Sequence, residues 1–186
     1  MRLLALALIC APSLAAATCP PLPARSAAQD QLMEQVRAAG TETLAQELNT
    51  RLWEIWTTAP DAAAQEMLDS GMSRRASFDF LGAKASFDAL IAYCPHYAEG
   101  YNQRAFVSFL REDYPAALVD LDKTLEITPD HIGAASGKAL TLLRMGRDVE
   151  GQLALRHALT MNPWLPERFQ LKAMEDVRGA GSDTDL

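Results

Sequence analysis

Cys94, His96 and His131 are the residues of this chain best suited to chemistry. A thiolate and two imidazoles can ligate zinc, or divide the roles of nucleophile and base. A small metal- or thiol-dependent enzyme built on these three side chains is therefore the catalytic reading. Their spacing matches no zinc-finger pattern, and the competing reading is two imidazoles on exposed turns beside a buried thiol. On that balance no catalytic residue and no metal ligand is assigned. Cofactor binding has no support either, because no glycine-rich phosphate loop follows a strand and no strands are predicted. Asp120 and Asp122 lie on a helix where the expected role is a solvated outer face.

The first residues bear on the redox state of those thiols. Met1 to Ala17 carries one Arg, an apolar run and then Ala15-Ala16-Ala17, the three-part order of a secretory signal peptide. Its apolar run, interrupted by Pro12, is short of the roughly 20 residues of a membrane span. Cleavage after Ala17 is expected, giving a periplasmic or secreted chain that does not insert in the membrane. Removal of residues 1–17 moves the formal charge from −7 to −8. An acidic surface disfavours nucleic acid and anionic lipid as partners. Cys19 and Cys94 would be the cysteines left, able to pair in an oxidising compartment, although two cysteines are not a disulfide framework.

Residues 18–29, rich in Pro and small side chains, read as a linker. Residues 30–60 follow as a helical pair: Leu32 and Val36 share one face of the first, and Gly40 stops it. Leu44, Leu48, Leu52 and Ile55 recur at helical spacing in the second, with Thr41 or Thr43 as its cap. Beyond them Pro95, Pro129 and Pro163 fall at intervals of 34 residues. Units at 64–97, 98–131 and 132–165 keep other positions in the same phase. Gly71, Ala105 and Ala139 occupy one place, and Ala83, Ala117 and Gly151 another, small residues that let antiparallel helices approach closely. Phe87, Leu121 and Leu155, with Ile91, Leu125 and Leu159, give the second helix of each unit an apolar stripe.

In length and phased residues the chain resembles the tetratricopeptide repeat family, most clearly in Ala98 to Ala105 and in Ala117 to Pro129. Asp148 stands where that family has an aromatic, and Met67 and Ala135 depart similarly. The resemblance implies an all-α protein, an α-solenoid of helix-turn-helix repeats. Residues 166–178 are expected as a capping helix and 179–186 as a disordered tail. It also implies a concave groove for a protein or peptide partner, lined from 64 to 165 by Gln65, Leu68, Met72, Arg75, Glu99, Asn102, Phe106, Phe109, Gly133, Ser136, Leu140 and Leu143. Arg75, Glu99, Asn102, Phe106, Phe109, Leu140 and Leu143 are the candidate binding residues. The lysines of the subclass that clamps an acidic C-terminus are absent. Three occupants of the groove stay open: an external segment, the N-terminal helices carrying Trp53 and Trp56, or a second copy of the chain. Together these readings describe a non-catalytic interaction module or scaffold of the bacterial envelope.

Overall fold

A computed structural model describes residues 18–173. Eight α-helices occupy them: α1 (Ala27–Arg37), α2 (Glu42–Trp56), α3 (Ala62–Ala76), α4 (Phe80–Tyr93), α5 (Ala98–Leu110), α6 (Tyr114–Ile127), α7 (Ile132–Arg144) and α8 (Asp148–Met161). A short 3-10 helix, Pro166–Gln170, ends the ordered elements, and no strand occurs among the described residues. The architecture is an α-solenoid in which α3 pairs with α4, α5 with α6, and α7 with α8. The expected leader (1–17) and tail (179–186) lie outside the described residues. No helix among those described is long and apolar enough to cross a membrane.

Most of the helices start where a side chain can satisfy a free backbone N–H; α5 and α8, which follow Tyr97 and Arg147, have no such cap. Ser26, Thr41, Asp61, Asp79 and Asp113 accept from the third residue beyond them. Because Ser26 caps α1, the first helix begins inside the stretch read as linker. The turns within the repeats share one conformation: Phe78, Glu112 and Gly146 have φ of 61°, 62° and 73°. The next N–H then returns to a carbonyl one turn back, as in Asp79 to Arg74 at 2.9 Å and Asp113 to Ser108 at 2.9 Å. Only at Gly146 does the sequence supply the residue suited to that backbone.

Small residues set the spacing inside each pair. A Cβ on Gly71 would sit 2.3 Å from the ring of the fully buried Phe87, and one on Gly151 would sit 2.7 Å from the Leu143 side chain. The phased glycines are thus required by close packing of α3 on α4 and of α7 on α8. Polar groups lock successive pairs together. Arg104 on α5 donates to both oxygens of Asp120 on α6, at 2.8 and 2.6 Å, and to Asp88 on α4 at 2.7 Å. Its hydrogen bonds to Asp120 push the Arg104 guanidinium still further up, overcoming its partial burial. Asp120 is therefore buried and paired rather than solvated, whereas Asp122 meets Lys138 at the surface.

The N-terminal hairpin packs against the last repeat. Leu32, Met33, Val36, Leu48 and Leu52 form one core with Ile132, Ala135, Ala158, Met161 and Leu165. Arg168 donates to Glu42 at 3.0 Å at the start of α2, and the Trp164 indole N–H to the Ala39 carbonyl at 2.7 Å. Farther along, the Tyr97 hydroxyl donates to the Trp56 carbonyl at 2.7 Å. With 15 residues, α2 is about 22 Å long. It runs back along the array from the third repeat towards the first.

Of the capping helix expected over 166–178, the described part is 166–173, and there the chain forms the 3-10 turn in place of an α-helix. After the 3-10 turn, residues 171–173 are extended, and 174–178 lie outside the described residues. Gln152 explains the change, because its amide donates to the Gln170 carbonyl and accepts from Lys172 N–H, each at 2.8 Å. Those bonds consume backbone groups that a helix would need and lay the segment along α8.

Candidate functional site: the concave pocket

The inner helices α3, α5 and α7 leave a cavity of about 370 Å³, and α2 with the turn Leu165 to Glu167 covers one side of it. Of the candidate residues, Arg75, Glu99, Asn102, Phe106, Phe109 and Leu140 line it, together with Gly133 and Ser136. Leu143 does not; its side chain packs on Gly151 of α8. Nor do the first-unit residues ahead of Arg75. Leu68 is fully buried in a core with Phe87, and Met72 packs on that core. Gln65 closes the α2–α3 loop, accepting from Ala59 N–H at 2.8 Å and donating to the Thr57 carbonyl at 3.2 Å.

The polar floor is a connected network. Ala134 N–H donates to His131 Nδ1 at 3.1 Å, which puts the ring proton on Nε2, 2.9 Å from Glu99 Oε2. Asn102 donates to the same carboxylate at 3.1 and 3.2 Å, and Gln103 also donates to it. Gln103 in turn accepts from the Arg75 guanidinium. Burial lowers the proton affinity of Arg75, and the charge of Glu99 opposes that loss. Glu99 and His131 are both buried, so the network satisfies groups that would otherwise be costly to enclose.

Above the floor the walls are aromatic. Phe106 is 45% exposed, with Arg75 lying 4.6 Å from its ring centroid. Phe109 is half-buried, edge-on to Tyr114 at 5.5 Å and packed against the core of α5, α6 and α7. From α2 come Trp53 and Trp56, with Trp56 stacked on His131. The N-terminal helix thus supplies one wall of the groove and leaves the cavity beside it. Asn49, Gln103 and Glu167 also line it and were not foreseen. For Asn49 a signal existed, since it shares a face of α2 with Trp53 and Trp56 at helical spacing.

The constellation of Cys94, His96 and His131 does not assemble. Cys94 is disulfide-bonded to Cys19, Cα to Cα 5.1 Å, and offers no thiol. His96 donates to the Pro20 carbonyl at 3.1 Å on the arm that the disulfide holds. His131 is a buried helix cap rather than an exposed turn residue. Among the described residues, no group of three or more His, Cys, Asp or Glu side chains is arranged to hold a metal ion.

Helical pairs enclosing a pocketed concave face define a class, and comparison with known proteins gives it a name. No family model matches the chain. It is similar to a TPR repeat-containing protein of Rhizobium etli, 30% identical over 146 residues, which are 75% of this chain and 63% of that protein. It is also similar to a tetratricopeptide repeat protein 36 homolog of Nematostella vectensis, 40% identical over 76 residues, 41% of each chain. The chain therefore spans less than two thirds of the length of these relatives. Among solved structures, the Arabidopsis OM64 TPR domain aligns with TM-score 0.55 and 20% identity over 56% of this chain and 86% of that one. The TPR2B domain of yeast Sti1, in its complex with pHsp70, gives 0.52 and 20% over 66% and 98%. MamA gives 0.50 and 19% over 78% and 75%. At these identities the structural likeness concerns the fold. In sequence the chain is similar to tetratricopeptide repeat proteins, and its fold is that of their repeat domains.

Proposed function

We propose that this chain is a non-catalytic interaction module of the bacterial envelope, exported by its N-terminal leader, and that its concave pocket binds a segment of a partner protein. The carrying observation is the pocket itself: an aromatic-walled cavity with a satisfied polar floor, formed by the inner helices of the repeats. Aromatic side chains in such recesses commonly supply most of the binding energy at an interface. The polar floor is fixed by internal hydrogen bonds and is suited to orienting a ligand rather than transforming it. Export is supported by the leader pattern of residues 1–17 and by the Cys19–Cys94 disulfide, a bond that persists in oxidising compartments.

The test is capture of a partner from an envelope fraction by the purified chain and by its Phe106→Asp variant. Phe106 is exposed enough to accept the change, and the new carboxylate would lie beside Arg75. Loss of a specific captured protein, with helicity and melting temperature preserved, is the expected result. Equal capture by both forms would reject the pocket as the binding surface.

A further inference from the structure

Two oxygen atoms in the pocket wall have no partner among the described residues. Asn49 Oδ1 and Glu167 Oε2 are both enclosed, no donor among the described residues reaches either, and both residues line the cavity. The other buried polar groups of this wall are matched, as the Glu99 carboxylate is by His131, Asn102 and Gln103. An enclosed acceptor left unpaired costs roughly 1–3 kcal/mol, more when charged. A ligand that brings donors to both atoms recovers that cost. Trp53 lies one turn beyond Asn49 on α2 and faces the same cavity, offering an indole surface on which a cation is favoured.

Charge selects the occupant further. Glu167 brings a negative charge to this end of the pocket, while the cation of Arg75 lies over Phe106 of α5 and is already bonded to Gln103. The chain as a whole is acidic, with a formal charge of −7, which attracts basic partners. Resting on the reading that the pocket binds a protein segment, we propose that the recess between α2 and the Leu165 to Glu167 turn seats a basic side chain, Arg or Lys, of that segment. Its N–H groups are accepted by Asn49 Oδ1 and Glu167 Oε2, and its charge faces Trp53. None of the three residues belongs to the inner helices of the repeats, so this specificity would come from elements added around the array.

A library of random nine-residue peptides displayed on phage, panned against the full disulfide-bonded chain, tests the proposal. Enrichment of Arg or Lys at one register is expected, and a selected peptide carrying citrulline or norleucine there should bind about tenfold more weakly. With Glu167→Gln the two peptides should bind within about twofold of each other. Asn49→Asp, which adds charge, should tighten the basic peptide about fivefold, a gain that a damaged fold would not produce. Acidic or wholly apolar peptides whose binding is lost with Phe106→Asp would overturn the basic subsite and leave the pocket reading intact. Enrichment of no peptide would overturn both. A concentration-dependent dimer that Phe106→Asp dissolves would assign the pocket to a second copy and overturn the subsite.

Discussion

Trp56 and His131 stack with ring centroids 4.2 Å apart and planes 19° from parallel. One residue ends α2 and the other caps α7, so their contact fixes the N-terminal hairpin against the third repeat. His131 occupies the last position of its unit, and the same position in the flanking units holds Tyr97 and Leu165. All three are buried, and all three meet the hairpin or the residues it packs on. This row of inter-repeat positions is the track along which α2 lies, and it explains why the groove becomes a pocket.

Phe106 and Phe109 should separate binding from stability. Phe106→Asp is expected to leave the melting temperature within about 2 °C of the parent, because the ring contributes little to the core. Phe109→Ser removes a ring packed on Ala105, Ala117 and Leu121 and should cost about 2–4 kcal/mol. Urea unfolding of both variants measures the difference.

Relief of the left-handed turn at Glu112 should stabilise the chain. Its φ is 62° and the side chain is exposed, so Glu112→Gly removes a steric penalty of about 1 kcal/mol without loss of a contact. The gain will be reduced by the greater freedom of glycine in the unfolded chain. Thermal unfolding should show a melting temperature higher by about 1–2 °C.

Reduction of the Cys19–Cys94 bond should lower stability without unfolding the array. The bond closes a separation of 75 residues, for which chain entropy predicts a loss of about 4 kcal/mol as an upper figure. The core joining α1 and α2 to α7 and α8 does not involve either cysteine. Circular dichroism with and without reductant should therefore show retained helicity at 25 °C and a melting temperature lower by several degrees.

Acid should weaken the fold through its aspartates. Asp61 and Asp79 are held below the usual 3.8, chiefly by the backbone N–H groups of Ala64 and Gly82, with Tyr93 and Arg74 assisting. Burial alone would raise Asp88, but the bonds from Lys84 and Arg104 together hold it lower. A carboxylate depressed in the folded state contributes stability that is complete well above 3.8 and is lost as pH falls through the folded value. The melting temperature should therefore drop below about pH 5. Asp61→Asn with Asp79→Asn keeps side-chain caps but removes the charges, and the drop should become shallower.

The repeat units were legible because their signals are local. A proline at a fixed interval and phased small residues follow from packing within a helical pair, which the sequence repeats three times. The docking of α1 and α2 on the third repeat was not legible, since the apolar face of a hairpin does not say which distant face it covers. His131 was misread for the same reason: its partners Glu99 and Trp56 are remote in sequence. Asp120 looked like a surface acid because only the fold brings Arg104 to it. In the groove, the middle unit supplied its expected residues. Of the first, only Arg75 reaches it, because Leu68 turns into the core beside Phe87 and Gln65 into the preceding loop.

Photo-crosslinking in the intact cell decides whether the concave pocket holds the partner. A benzophenone side chain at Phe106 faces the pocket, and one at Val119, 69% exposed on α6 away from the pocket lining, serves as the comparison. A discrete adduct with one partner protein is expected from position 106, weakened by Glu167→Gln, and none with that partner from position 119. An adduct from position 119 with none from position 106 would contradict the pocket assignment and place the interaction on the outer helices.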